Sequence, residues 1–320
     1  MRTLRFAALF LAALIGGSVH AQQYPARSIR FISPYPPGGG NDTLSRIIAD
    51  KLGEQIGQRI LVENRPGANT IVGTEALAKS PPDGYTIALL PNTFATNPSF
   101  YPKLPYDTLK DFVAVGQVAQ SPQMLVVHPS VPVKSLKDLL ALAKARPGQL
   151  SYGTSGNGSV GHLAMLLLSN MSGAPFLHVP YKGTSPAVND LMGGHIPLMM
   201  SSLLATLPQV RAGRLRVIAL TSAQRVKAMP EVPTIAEAGV PGYEATLWYG
   251  FIAPARTPDA ILKKLNTELA TTLKNADVIE KLSTQGVEPY HTSPEQFGAL
   301  IRAEFEKWAK VIRTGGIKIE

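Results

Sequence analysis

The stretch Ile29-Arg30-Phe31-Ile32-Ser33, followed by Pro34-Tyr35-Pro36-Pro37-Gly38-Gly39-Gly40-Asn41-Asp42, leads a predicted strand through a glycine-rich loop into a predicted helix. A second stretch repeats this design, since Leu150-Ser151-Tyr152 continues through Gly153-Thr154-Ser155-Gly156-Asn157-Gly158-Ser159 into another helix. The start of a helix offers unpaired N–H groups and partial positive charge, and glycine lets a ligand approach the backbone closely. Each loop therefore suits a carboxylate or phosphate group. Tight packing alone also produces such a loop, so two of them in one chain are more informative than one.

Strand-like and helix-like segments alternate along most of the chain. Predicted strands cover residues 28–33, 59–63, 85–90, 124–127, 149–152, 175–179, 195–201 and 215–220. Predicted helices cover residues 42–57, 135–145, 159–171, 186–192 and 204–212. Strands separated by helices of this length indicate parallel sheets covered by helices, which is an α/β fold. After Pro258 the chain reads as mainly helical and ends in an amphipathic helix over residues 294–312.

Several predicted helices carry start signals. Ser135 with Asp138, and Ser293 with Gln296, have the spacing of capping boxes. A hydroxyl residue before proline predicts an N-cap followed by proline at the first helical position, and this pair begins at Ser185, Thr257 and Ser293.

Residues 1–21 have the composition of a secretory signal peptide. Arg2 and Arg5 precede an apolar run from Phe6 to Ile15, and Val19-His20-Ala21 forms a small-x-Ala cleavage motif. The apolar run is shorter than the roughly 20 residues that a membrane-spanning helix needs. We therefore expect cleavage after Ala21 and export to the periplasm. Residues 22–320 are long enough to form two domains.

The charge and composition narrow the classes of partner. The chain has 31 Lys and Arg against 22 Asp and Glu, a formal net charge of +9. Because these basic residues are scattered, with few aromatics among them, they form no footprint for nucleic acid. A mild positive field instead suits a small anion. There is no cysteine, so the sequence predicts neither disulfides nor thiolate metal sites.

Metal and cofactor sites are not predicted. The histidines at 128, 162, 178, 195 and 291 lack paired ligand spacing, such as i and i+4 on one helix. Gly156–Gly161 matches the dinucleotide fingerprint, but the strand that ends near Val179 carries no acidic residue for a ribose. Neither loop contains the Gly-Lys-Ser/Thr of a nucleotide-triphosphate site.

A secreted α/β hydrolase remains an alternative interpretation of the second loop. It would use Ser155 or Ser159 as nucleophile, with His162 as base. Residues 153–157 miss the nucleophile-elbow pattern at its last glycine, and Ser159 also fits the role of a helix cap. For His162, ligand contact and a structural role are equally consistent with the sequence.

Seven short motifs carry a resemblance that extends over the mature chain. They are Pro34–Asp42, Val62–Ala68, Asp83–Thr86, Gly153–Ser159 with His162, Val179–Gly183, Ala212–Ala219 and Val232–Gly239. In this order and spacing they resemble the Bug-type periplasmic solute receptors, the binding proteins of tripartite tricarboxylate transporters.

The resemblance implies a two-domain periplasmic-binding-protein fold, the Venus flytrap, with a ligand cleft between two α/β domains. Domain 1 would comprise residues 22–121 and 248–320, and domain 2 residues 122–247, with crossings near Ser121 and near residues 246–250. The implied protein is a monomeric receptor and not an enzyme. It would capture a dicarboxylate, tricarboxylate, acidic amino acid or aromatic acid for uptake by the membrane subunits of the transporter.

The loops and the resemblance together predict the ligand-binding residues. Domain 1 would supply Tyr35, Gly38, Gly39, Gly40, Asn41 and Asp42. Domain 2 would supply Ser155, Gly156, Asn157, Gly158, Ser159 and His162, and then Tyr181, Lys182, Gly183 and Thr184. Strand ends that should face the same cleft add Asn92, Thr93, Ser201 and Ser202.

Three of these predicted positions leave alternatives open. Asp42 would repel an anion, so we expect it to be an N-cap or a first-turn acid that complements the helix dipole, with orientation of a ligand hydroxyl or a water as the alternative. Lys182 fits either a counter-ion or a solvated surface residue. The family often has threonine where this chain has Asn41, which leaves the identity of the ligand open.

Overall fold

The structure, a computed structural model, describes residues 24–314 apart from Gly39, Lys182, Gly183, Lys227 and Gln285. The predicted signal peptide, residues 1–21, lies outside these residues. The strands are β1 (Ile29–Ser33), β2 (Ile60–Asn64), β3 (Thr86–Pro91), β4 (Phe112–Ser121), β5 (Gln123–Val127), β6 (Ser151–Thr154), β7 (Leu177–Pro180), β8 (Leu198–Ser202), β9 (Arg216–Leu220), β10 (Leu247–Pro254) and β11 (Glu288–Pro289). The helices are α1 (Gly40–Ile56), α2 (Ile71–Ala78), α3 (Thr93–Phe100), α4 (Leu136–Ala145), α5 (Val160–Ser172), α6 (Thr184–Met192), α7 (Leu203–Arg211), α8 (Asp259–Thr272), α9 (Ala276–Thr284) and α10 (Pro294–Thr314).

The strands form two mixed sheets. The first has the order β11-β4-β10-β3-β1-β2, and the second has the order β7-β6-β8-β5-β9. Strand β1 is parallel to β2 and β3, and β6 is parallel to β7 and β8, as the alternation of strands and helices predicts. Strand β10 is antiparallel to β3 and β4, and β5 is antiparallel to β8 and β9. Strand β11 is also antiparallel to β4, so the prediction of parallel sheets was wrong for the pairings of β4, β5, β9, β10 and β11.

The chain passes from the first sheet to the second through one residue. Strand β4 ends at Ser121 and β5 begins at Gln123, so Pro122 alone separates them. The chain returns at Leu247, which is paired with Ser121 across the β4–β10 ladder. The predicted crossings, near Ser121 and near residues 246–250, fall at these places, and the division into two domains stays a prediction.

Each sheet has its own core. Phe31 of β1 and Phe251 of β10 pack against helices α1 and α8, in a cluster that includes Ile48 and Leu265. In the second sheet, Leu125 points to the face that α5 covers, and Met124 points to the opposite face, which α6 covers. Burial of apolar side chains contributes about 25 cal/mol per Å², so these layers are the main source of stability in a chain without disulfides.

Helix α10 packs on both cores. Its first turns place Phe297 and Ile301 beside Trp248 of the first sheet, and its later turns place Trp308 in the core that contains Leu163 of α5. The Trp308 indole N–H donates a hydrogen bond to Glu304 at 2.6 Å, so its polar atom is satisfied within the helix. Among the described helices, none is both long and apolar enough to cross a bilayer.

Of the four helix starts predicted from Ser135, Ser185, Thr257 and Ser293, two are confirmed and two are wrong. Ser135 forms the predicted capping box, and the Gln296 N–H donates to the Ser293 hydroxyl at 3.2 Å. Helix α8 begins after Pro258, and the Thr257 hydroxyl donates to the Pro254 carbonyl at 2.7 Å instead of capping the helix. Helix α6 begins at Thr184, so Ser185 lies inside it.

We expect Gly250→Ala to destabilise the fold. A Cβ atom at this β10 position would lie 2.0 Å from Cζ of the fully buried Phe297, and the strand is held on both sides by its neighbours. Overpacking of this kind costs about 1–3 kcal/mol, which urea denaturation measures as a lower midpoint.

The matched control is Gly298→Ala on α10, where the nearest atom to the new Cβ lies 3.7 Å away. Alanine is favoured over glycine inside a helix by about 1 kcal/mol, so this variant should be as stable as the wild type or more stable. Equal stability of the Gly250→Ala variant and the wild type would contradict the packing of α10 on β10.

Candidate functional site

The first glycine-rich loop connects the end of β1 to the start of α1. The Ser33 hydroxyl donates to Asn41 Oδ1 at 2.9 Å, and Asn41 Nδ2 donates to the Leu89 carbonyl at 3.3 Å. The buried Asn41 side chain thus fixes the start of α1 to both β1 and β3. Gly40 is the first residue of the helix and is exposed, whereas Gly39 lies outside the described residues.

The buried carboxylate of Asp42 holds this loop through hydrogen bonds. Its carboxylate accepts hydrogen bonds from the Gly38 N–H at 2.9 Å, from Arg46 Nε at 3.0 Å and from Asn64 Nδ2 at 2.8 Å. Burial opposes the charged form, but the hydrogen bonds from Arg46, Gly38 and Asn64 outweigh it, so the pKa of Asp42 lies below its usual value. Asp42 therefore has the structural role that its position at the helix start predicts.

Polar side chains line up behind the loop at the carboxyl end of β3. The Tyr35 hydroxyl lies beside Thr93, and burial, partly offset by this contact, raises the pKa of Tyr35. Thr93 Oγ1 is 3.3 Å from Thr70 Oγ1. Asn92 is 1% exposed, and its Oδ1 atom has no hydrogen-bond partner within the described residues.

A left-handed backbone segment supports these residues from below. Ala68, Asn69 and Thr70 have φ values of 45°, 50° and 78°, a conformation that costs energy in residues other than glycine. Asn97 holds the segment in place, because it accepts from Asn69 Nδ2 and donates to the Asn69 carbonyl, both at 2.8 Å. The sequence motif at Val62–Ala68 gave no indication of this strain.

The second glycine-rich loop connects the end of β6 to the start of α5. Gly156 and Gly158 have φ values of 139° and 71°, which residues other than glycine rarely adopt. The Ser159 hydroxyl accepts from the His162 N–H at 3.3 Å and caps α5. Asn157 and Ser155 are exposed.

His162 faces inward, under the loop. Its Nδ1 atom accepts a hydrogen bond from the Gly158 N–H at 3.1 Å, and its ring stacks on His178 at 3.8 Å between centroids. Burial, with a smaller contribution from His178, lowers the pKa of His162 to about 4. The imidazole is neutral at pH 7 and carries its proton on Nε2.

These contacts give no support to a hydrolytic centre. The Ser159 hydroxyl binds the backbone at the helix start, and the Nδ1 lone pair of His162 is used by Gly158. Nucleophilic catalysis would need a serine hydroxyl within hydrogen-bond reach of an imidazole nitrogen. Among the described hydrogen bonds, neither Ser155 nor Ser159 makes such a pair.

Residues after β7 divide between the cleft and the scaffold. The Tyr181 hydroxyl donates to Asp190 Oδ2 at 2.7 Å, and burial together with Asp190 raises the pKa of Tyr181 to about 12. Its ring lies beside Gly153 of β6. Lys182 and Gly183 lie outside the described residues.

A cavity of about 280 Å³ lies between the two sheets, where the two loops face each other. It brings together five of the predicted residues, Gly40, Ser155, Thr184, Ser201 and Ser202. Ser201 is 2% exposed, and its hydroxyl has no hydrogen-bond partner among the described residues. The remaining described residues of the predicted set shape the loops or lie behind them.

Sequence reasoning missed the floor of this cavity. The floor comes from the crossing strands, from the last turn of α9 and from the segment that follows it. It comprises Ser121, Gln123, Leu247, Tyr249, Leu282 and Val287. Leu44, Val160, Gly161, Met199 and Met200 complete the wall. The predicted crossings were a usable signal, because residues where the chain passes between two domains must lie at the base of the cleft.

The described wall of the cavity is electrically neutral. It contains hydroxyl, amide and apolar groups, and none of its described residues is Lys, Arg, His, Asp or Glu. Positive potential comes instead from the starts of α1 and α5. Their first residues, Gly40 and Val160, are both part of the cavity wall. Over the described part of the chain, no group of three or more His, Asp or Glu residues could hold a metal ion.

Comparison with known proteins agrees with this architecture. Residues 44–317 match the family described as tripartite tricarboxylate transporter family receptor. Protein BugT of Bordetella pertussis is 38% identical over 322 residues, which cover 100% of this chain and 99% of that protein.

Two solved structures are similar over almost their whole length. The structure of R. palustris Rpa4515 with adipate has 39% sequence identity and a TM-score of 0.79, covering 92% of this chain and 99% of that chain. MatC from Rhodopseudomonas palustris with bound malate has 29% sequence identity and a TM-score of 0.75, covering 90% of this chain and 100% of that chain.

These matches confirm both the periplasmic-binding-protein fold and the resemblance to Bug-type receptors. The family is one of receptors rather than enzymes. The chain therefore belongs to the tripartite tricarboxylate transporter receptors, a family of periplasmic solute-binding proteins.

Proposed function

We propose that this protein captures a small organic acid in the cavity between its two sheets and delivers it to the membrane subunits of a tripartite tricarboxylate transporter. The observation that supports this most is the position of two helix starts, those of α1 and α5, at one cavity from opposite sheets. Helix starts bind anions through free N–H groups and partial positive charge.

The ligand class is a carboxylate of modest size. A volume of about 280 Å³ suits an acid of a few carbon atoms better than a nucleotide or an oligosaccharide. The adipate and malate in two related structures support the same class. Dicarboxylates, tricarboxylates, acidic amino acids and aromatic acids all remain candidates.

Transport requires a change that the transporter recognises. We propose that residues 22–121 with 248–320 form one domain, that residues 122–247 form the other, and that ligand draws them together. A ligand shifts such an equilibrium only if it binds the closed form better than the open form. Contacts from both helix starts to one carboxylate supply that difference. In this proposal the mature receptor is a periplasmic monomer that begins after Ala21.

Organic acids should raise the melting temperature of the mature protein. A ligand at 100 times its Kd stabilises the native state by about 2.7 kcal/mol, because it binds only that state. Differential scanning fluorimetry with adipate, malate, citrate, glutamate and benzoate measures the effect. Phosphate, glucose and nicotinamide nucleotides serve as comparison compounds. A response confined to these comparison compounds would contradict carboxylate capture.

Ser201→Ala should weaken ligand binding by about tenfold without destabilising the free protein. The hydroxyl is buried at the cavity and has no described partner, so the ligand-free protein loses no hydrogen bond with it. A hydrogen bond to a charged group is worth about 1.5–3 kcal/mol when it is made. Isothermal titration calorimetry and urea denaturation separate the two effects.

Ser45→Ala is the matched control for Ser201→Ala. The Ser45 hydroxyl is also buried without a described partner, but it is not part of the cavity wall. This variant should bind acids as the wild type does. Equal affinity of the Ser201→Ala and Ser45→Ala variants would place the ligand elsewhere.

The hydrolase alternative is tested with esters and amides. Ser159→Ala should cost about 1 kcal/mol of stability through the lost helix cap, and we expect no turnover from either the variant or the wild type. Ser155→Ala tests the other candidate nucleophile. Turnover by the wild type that disappears in either variant would contradict the receptor function.

A further inference from the structure

Two stacked histidines support the second glycine-rich loop from beneath. His178 on β7 lies against His162 on α5, with ring centroids 3.8 Å apart and ring planes at 12°. On its other side His178 stacks on Tyr152 of β6, at 5.0 Å. The three rings form a column that joins the two strands to the helix. Neither histidine belongs to the described wall of the cavity.

Each imidazole is tied to one of the two left-handed glycines of the loop. His162 Nδ1 accepts directly from the Gly158 N–H at 3.1 Å. His178 Nε2 is 2.6 Å from the Thr154 hydroxyl, which in turn accepts from the Gly156 N–H at 3.2 Å and lies 3.1 Å from the Gly156 carbonyl. The stacked pair therefore fixes both Gly156 and Gly158.

This anchoring matters because glycine has more conformational freedom than any other residue. An unanchored loop with two glycines samples many backbone conformations, and a ligand must then supply the energy to order it. Thr154 is fully buried, so its hydrogen bonds form away from competing water.

We infer that His178 and Thr154 are positioning residues for the ligand. They hold the loop at residues 153–159 in one conformation and so raise the affinity for an acid that they do not touch. This inference rests on the proposed function, since it assigns the loop to the ligand site.

The charge state of the pair follows from its surroundings. The titratable side chain that stacks on the pair is that of Tyr152 on β6, and among the described residues no charged side chain contributes to the pKa shift of either ring. Burial lowers the pKa of His178 to about 4, and burial together with His178 lowers the pKa of His162 to about 4. Both rings are neutral above the ordinary histidine value of about 6.5.

The sign of the pH effect follows from these values. Because the folded-state pKa lies below the unfolded one, the unfolded chain binds more protons between pH 6.5 and about 4. The pair therefore stabilises the native state fully above pH 6.5, and this contribution is lost as the pH falls toward 4. Protonation of His162 Nδ1 also removes the acceptor for the Gly158 N–H.

Two matched pairs of variants test the inference at pH 7.5. Thr154→Val removes the hydroxyl at nearly constant shape, whereas Thr154→Ser keeps it. His178→Phe keeps a stacked ring without the Nε2 contact, whereas His178→Gln retains a polar group near the Nε2 position. His195→Asn, at an exposed histidine, is the control. Calorimetry with adipate gives the affinity, and the NMR signals of the Gly156 and Gly158 amides report on the ligand-free loop.

We expect Thr154→Val and His178→Phe to weaken adipate binding by about tenfold and to shift or broaden both glycine signals. Thr154→Ser and His178→Gln should stay within about threefold of the wild type, and His195→Asn should match it. In the wild type, both glycine signals should titrate with the histidines as the pH falls toward 4.

Two results would overturn the inference. One is unchanged affinity and unchanged glycine signals in Thr154→Val and His178→Phe. The other is a loss of affinity in all four variants that follows their melting temperatures, which indicates general destabilisation only. If the wild type binds no carboxylate, the proposed function fails instead, and the NMR signals of the ligand-free variants still decide whether His178 and Thr154 order the loop.

Discussion

The passage of the chain between its two sheets is the constraint on which the site depends. One residue, Pro122, separates β4 from β5, and Leu247 at the return is paired with Ser121. The end of β4 and the start of β10, which are adjacent in the first sheet, therefore both lie next to the second sheet. They fix where the two sheets approach each other. The carboxyl ends of β1 and β6 meet at this place, which brings both glycine-rich loops to one cavity. A cleft between two α/β units whose loops lie at the strand ends is where such folds bind ligands.

Buried polar networks turn two flexible loops into defined surfaces. Asp42 binds the Gly38 N–H in the first loop, and His162 binds the Gly158 N–H in the second. In both cases a side chain of the helix's first turn satisfies a backbone donor of the loop that precedes it. A buried network of this kind stabilises one conformation only when all of its members are paired. The Asn92 and Ser201 oxygens are therefore notable, because they lie at strand ends and have no hydrogen-bond partner in the part of the chain that the structure describes.

The sequence predicted the loops, most helices and the fold class, because these depend on local patterns. Strand β4 was not predicted, since its middle residues are buried on both faces and show no alternation of polar and apolar side chains. Gln123 and Tyr249 were missed for a related reason: their place in the cavity depends on strand pairing over long distances in the chain. The Tyr181 hydroxyl donates to Asp190 of α6, a contact that no local pattern indicated, and ligand contact by Tyr181 stays a prediction. Local chemistry identified the two glycine-rich loops, whereas the cavity floor is a property of the topology.

A cavity wall without charged side chains suits a receptor that must also release its ligand. A buried ion pair requires that both charges lose their water, and a cation left behind after release would be costly. Helix starts and hydroxyl groups are dipoles that the fold already holds in place, so the empty site has no unpaired charge in its described wall. Helix α1 belongs to the unit of the first sheet and α5 to that of the second. Under the proposed function, separation of these units would divide the contacts to a bound carboxylate between them. Under the proposed function, ligand affinity and the relative position of the two sheets are therefore coupled in a single equilibrium.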